Sequence, residues 1–277
     1  IKTMDMILMY NKVNLKSTDT SWVLAAIMTL ALSSAIMAVP TIAYSNDIYV
    51  NQVGNDLTLS VTQDGEDNSI GTSSTPISLD GNNIDVTIVQ ETDGASIDLS
   101  VDGNNNTMVV KQKCHNGNLC NADKMNIDIT GNNNSMELGQ GYKITETSWL
   151  YDYVEHGGHD MDLEVNGANN NIRLSQRSQN SISDHNMDVN IYSDDNNVHV
   201  MQEANQDKTV SLTINNDDNN VFVHQKKSNA HTATITLDGN YGTDLSLTQS
   251  STSGAMSYSL TQNCQTFGGC SVSVTQN

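Results

Sequence analysis

Proline is nearly missing, with 2 residues in 277, and aromatic side chains make up only 5% of the chain. So few large apolar residues exclude a thick conventional core, and so few prolines leave strand-like runs unbroken. Basic residues are scarce as well: 12 Lys and Arg stand against 32 Asp and Glu, a net charge of −20. A surface of that sign repels nucleic acid and anionic membranes, so neither is expected as a partner. Catalytic patterns are also lacking. There is no Ser/His/Asp arrangement and no Gly-rich phosphate loop, and the carboxylates are spread along turns instead of paired. No enzyme activity, catalytic residue, cofactor or metal site is therefore assigned. Low hydrophobicity with high charge would ordinarily mean disorder, but regular apolar alternation argues against it.

Residues 1–45 read as a secretory signal peptide. Lys12 and Lys16 precede an apolar run from Trp22 to about Met37, and Ala43-Tyr-Ser45 supplies small residues for cleavage. A retained membrane anchor is the alternative, because the run approaches the lower limit for spanning. Cleavage would remove Lys2, Lys12, Lys16, Asp5 and Asp19, leaving nine basic and thirty acidic side chains and a net of −21. After that removal no membrane contact is expected, and export places the chain outside the cell.

From residue 46 to 277 one unit recurs: Gly-x-x-Asn-x-Φ-x-Φ-x-Gln, with Φ apolar. The best copies run Gly103 to Gln112, Gly131 to Gln140 and Gly167 to Gln176. Two others, Asn196 to Gln202 and Asn219 to Gln225, keep the spacing without the glycine. Closing glutamines fall at Gln52, Gln63, Gln90, Gln112, Gln140, Gln176, Gln202, Gln225, Gln249, Gln262 and Gln276. Turn asparagines fall at Asn68, Asn106, Asn134, Asn170, Asn196 and Asn219. Between the Gln-ending arms lie arms such as Met125-Asn-Ile127-Asp-Ile129 and Met161-Asp-Leu163-Glu-Val165. Each repeat is thus strand, tight turn, strand, with one face of each strand buried.

An antiparallel sandwich accommodates many short strands but gives no reason for one polar residue to recur in register on the apolar face. A β-solenoid of about eight to ten stacked coils does. Equivalent side chains then form columns, and amide columns satisfy each other by hydrogen bonding along the stack. The all-β solenoid is accordingly the predicted fold.

The repeat resembles the curlin unit of curli fibres, Ser-x5-Gln-x-Gly-x-x-Asn-x5-Gln. Its second half matches at residues 106–112, 134–140, 170–176, 196–202 and 219–225, and Gln63-Asp-Gly65-Glu-Asp-Asn68 carries its central Gln-x-Gly-x-x-Asn. Elsewhere the first glutamine is replaced by residues such as Val101, Ile129 or Val165. The resemblance implies a structural subunit that pairs coil ends into extracellular amyloid fibres for biofilm matrix and adhesion. Its implied partners are copies of itself, other curlin-like subunits and export factors. The alternative is a monomeric acidic β-solenoid adhesin influenced by calcium.

Two features lie outside the repeat. Cys114 with Cys120, and Cys264 with Cys270, have equal spacing and read as two small disulfide loops in an exported chain, with zinc beside His115 the alternative for the first pair. The spacer 141–160 gathers Tyr142, Trp149, Tyr151 and Tyr153, and reads as a decorated loop or a contact loop. His199 and His224 alternate with apolar residues and are expected on the surface.

Overall fold

The computed structural model describes residues 12–17 and most of 47–277; the stretches of three or more residues outside the description are 1–11, 18–46, 65–67, 92–95, 114–123, 141–157, 178–184, 227–229, 240–242 and 266–269. The described residues form strands and turns stacked as a β-solenoid. One sheet, here the glutamine sheet, contains Leu57–Asp64, Asp85–Glu91, Thr107–Lys113, Ser135–Gln140, Asn171–Arg177, Asn197–Glu203, Asn220–Val223, Asp244–Gln249 and Ser271–Gln276. The companion sheet contains Ser96–Asp102, Lys124–Thr130, Asp160–Asn166, His185–Ile191, Lys208–Ile214, His231–Gly239 and Met256–Cys264. It begins with two split strands, Asp47–Ile48 with Asn51–Val53 and Ser69–Ile70 with Ile77–Asp80. One strand from each sheet makes a coil, and nine such strand pairs follow one another among the described residues. At about 4.8 Å per step the stack is roughly 40 Å long.

Strands of successive coils pair in parallel, in register. The cause is visible in one strand. Lys124–Thr130 alternates exposed and buried at every residue, placing Met125, Ile127 and Ile129 inside. A slip of one residue would turn those three outward, so register is strongly specified. Repeated through the coils, this makes one core strip two side chains deep, from Ile48 to Leu247. Each coil contributes little, and burial against both neighbours supplies the stability.

The turns are built by two columns. Asn83, Asn105, Asn133 and Asn169 all hold left-handed φ near +57°, at 58°, 57°, 55° and 57°. Asparagine tolerates that region better than other residues with a side chain. Beside them Gly81, Gly103, Gly131 and Gly167 stack so closely that a Cβ on Gly131 would lie 1.5 Å from the Gly103 carbonyl oxygen. Only glycine fits there.

The strand Lys12–Ser17 pairs antiparallel with Leu57–Asp64, opposite in direction to every other sheet neighbour of that strand. The apolar run expected to complete the signal peptide lies outside the described residues. Among the described residues, no helix is long and apolar enough to cross a membrane.

Candidate functional site

The glutamine sheet ends in a continuous buried column: Gln63, Gln90, Gln112, Gln140, Gln176, Gln202, Gln225 and Gln249, each fully buried, with Gln276 exposed beyond them. Gln90 donates from Nε2 to Gln63 Oε1 at 2.8 Å, Gln112 to Gln90 at 3.0 Å and Gln140 to Gln112 at 2.9 Å. Gln176 donates to Gln140 at 2.9 Å and Gln202 to Gln176 at 2.8 Å.

The second hydrogen on each Nε2 has a separate task. Gln112 donates to the Lys124 carbonyl at 3.0 Å, Gln140 to Asp160 at 3.0 Å and Gln176 to Asn186 at 2.7 Å. Gln202, Gln225 and Gln249 do the same to Thr209, Thr232 and Ser257. These carbonyls occupy one register position in the companion sheet. Each of these glutamines, and Gln90 with the Ser96 carbonyl, therefore ties the end of its own strand to the start of the next coil's strand, across the spacer between them.

Gln52 and Gln262 sit elsewhere. Their column lies in the companion sheet and runs Gln52, Leu79, Val101, Ile129, Val165, Ile191, Ile214, Leu237, Gln262. The column is amide at its first and last coils and apolar between, at Val101, Ile129 and Val165 among others.

The asparagine column is also divided. Asn106, Asn134 and Asn170 are buried and donate back to the carbonyls of Gly103, Gly131 and Gly167. Their Oδ1 atoms accept from the backbone N–H one coil earlier, on Ile84, Asn106 and Asn134. Asn219 is buried at its turn, while Asn196 lies outside the described residues. Grouping Asn68 with these is corrected by the structure. It is buried on the other side of the coil, where the chain enters Ser69–Ile70 in the companion sheet.

A second group escaped the sequence reading. His159, His185, Lys208 and His231 occupy successive coils at one companion-sheet position, with Met256 next, and all four are at most 2% exposed. The His159 and His185 rings stack with centroids 5.2 Å apart and planes 6° from parallel. The available signal was alternation: each lies two residues before a core position, at Met161, Met187, Val210 and Ala233. Burial, then His159 and Lys208, holds His185 well below the usual histidine range, against the pull of the Asp207 and Gln206 carbonyls. Burial and Lys208 bring His231 down to about 4, and burial brings Lys208 down to about 8 although Asp207 and Glu203 oppose it. The ammonium thus remains mostly protonated at neutral pH.

The amide column changes direction at this point. From Gln63 to Gln202 every Oε1 points toward later coils, whereas Gln225 donates forward to Gln249 at 3.0 Å and Gln249 to Gln276 at 3.2 Å. The oxygens of both segments face the step between Gln202 and Gln225, where both Oε1 atoms are buried without a hydrogen-bond partner.

Cys264 and Cys270 are joined in a disulfide, while Cys114 and Cys120 lie outside the described residues. Most of the aromatic spacer lies outside them too. Placement of His224 on the surface is corrected: it is 9% exposed, with Nε2 3.3 Å from Glu203 Oε1 and its ring 5.9 Å from Phe222. His199 is half-buried beside the Phe222 ring, at 4.8 Å. Among the described residues no cluster of His, Cys, Asp or Glu is arranged to hold a metal. No family model, curated protein or solved structure matches the chain.

Proposed function

We propose that this chain is an exported structural subunit which polymerises by adding coil to coil, forming a curli-like amyloid fibre at the cell surface. The observation that carries this reading is the in-register column from Gln63 to Gln276, stacked on parallel strands. A side-chain ladder of this kind is the same interaction that binds separate chains in cross-β fibres. On Ser271–Gln276 the valines Val272 and Val274 are open, at 41% and 40% exposure. A coil from a second copy would cover them and continue both the backbone ladder and the amide column. The partners in this reading are further copies of the chain, related subunits and export factors, and the segment 1–45 serves as the export signal.

Purified chain lacking residues 1–45 is expected to form thioflavin-positive fibres with a meridional reflection at about 4.7–4.8 Å. A persistent monomer by light scattering, at concentrations where related fibres form, would overturn the reading. Folding or surface binding that depends on added calcium would favour the adhesin instead.

A further inference from the structure

We infer that the stacked basic groups of the companion sheet form an acid-responsive device that loosens the coils around Lys208 when the flanking histidines take up protons. This inference does not depend on the fibre reading. It rests on where four basic side chains lie: His159, His185, Lys208 and His231, one per coil in the fifth to eighth coils, each at most 2% exposed. In a parallel stack, equivalent positions are about 4.8 Å apart. Lys208 therefore holds a positive charge one coil step from His185 and one from His231. A proton on either imidazole places a second positive charge beside the first, in a core with little water to screen it.

Among the described residues, the groups facing the column are mostly uncharged. Across the arch stand the uncharged amides Gln176, Gln202, Gln225 and Gln249. The carboxylates acting on Lys208 are Asp207 and Glu203, and Glu203 is already within 3.3 Å of His224. The carbonyls of Asp207, Gln206 and Ala255 assist the imidazolium forms without reversing the burial effect. On the outer face Asp162 is raised by burial and by Asp188, Asp160 and Glu164, so its protonation favours the fold and opposes the histidines.

The direction follows from these shifts. A histidine whose folded pKa is lowered costs nothing above the ordinary 6.5, and its penalty grows as pH falls, reaching completion near 4 for His231. Lys208, lowered from 10.5 to about 8, adds a trend of the same sign at higher pH. The histidines therefore make these coils more stable as pH rises from about 4 to 6.5, and Lys208 does the same from about 8 to 10.5, with Asp162 opposing them in the acid range. By linkage, His231 alone shifts the opening equilibrium on the order of a hundredfold between neutral pH and about pH 4.

Hydrogen exchange on the full chain, corrected for the intrinsic pH dependence of exchange, tests this directly. Between about pH 7 and pH 4.5, amides of His185–Ile191, Lys208–Ile214 and His231–Gly239 should lose protection. Those of Ser96–Asp102 and Thr107–Lys113 should keep theirs. The double variant His185→Met/His231→Met, using the residue the column already accepts at Met256, should abolish the difference. Equal loss in both regions, or an unchanged acid response in the variant, overturns the device. If the variant does not fold, the histidine rings of the unaltered chain decide: midpoints at or above 6.5 overturn it, and midpoints well below support it.

Discussion

Replacing Gln140 by alanine tests whether the amide column holds the solenoid together. Gln140 donates to Gln112 Oε1 and to the Asp160 carbonyl, and accepts from Gln176 Nε2, in a site with no exposed surface. Alanine removes these hydrogen bonds. It also leaves Gln112 Oε1 and the Asp160 carbonyl buried without those donors, while Gln176 keeps its bond to Asn186. At about 1–3 kcal/mol for each orphaned buried group, plus the side chain's lost packing, the cost is about 3–6 kcal/mol. That is a large share of the roughly 5–15 kcal/mol that keeps a domain folded. Because repeat arrays can open in parts, the assay should be local: hydrogen exchange at Ser135–Gln140 and Asp160–Asn166, alongside denaturant melting. Gln276→Ala is the internal comparison, since that exposed side chain makes only one hydrogen bond to the column, from Gln249 at 3.2 Å. A cost below about 1 kcal/mol for Gln140→Ala, or no excess over Gln276→Ala, would refute the view that the column is a principal source of stability.

Gly131→Ala should cost about 3 kcal/mol or more, because the new Cβ meets the Gly103 backbone and no flexible side chain can yield. Gly54→Ala, where the Cβ would meet the Leu57 Cδ2 at 3.3 Å and no backbone atom, should cost less, and denaturant midpoints compare the two. Net charge makes a separate prediction about assembly. Raising ionic strength from about 0.01 M to 0.15 M shortens the screening length from about 30 Å to about 8 Å. A chain of net −21 without residues 1–45 should then show a shorter thioflavin lag; an unchanged or longer lag would show that charge repulsion does not limit association.

The architecture was legible because alternation and the Asn-to-Gln spacing report directly on which face is buried. Met125, Ile127 and Ile129 announce a strand, and the turn before Asn134 announces its reversal. Columns were legible only where the spacing repeats. Asn68 resembles the turn asparagines by composition, but its place depends on which arch the preceding spacer forms. His185, Lys208 and His231 were harder still. Charged and titratable residues are ordinarily solvated, so their alternation with core residues carried less weight than their type. Parallel register settles the matter by placing them directly above one another. The reversal of the amide column at Gln202 and Gln225 has no trace in the sequence, since both residues match the repeat.

The glutamine clasp accounts for one property of the repeat that stacking alone leaves open. From the clasping glutamine to the carbonyl it reaches, the separation is 6 residues at Gln90, 12 at Gln112 and 20 at Gln140, yet the strands on either side keep one register. Loop-closure entropy rises only logarithmically with length, so going from 6 to 20 residues adds about 1 kcal/mol. One net hydrogen bond across the mouth of each spacer offsets a cost of that size. Coil geometry is thereby separated from spacer length. The strand Asp160–Asn166 thus keeps its register with Lys124–Thr130 although 20 residues separate Gln140 from the Asp160 carbonyl it holds.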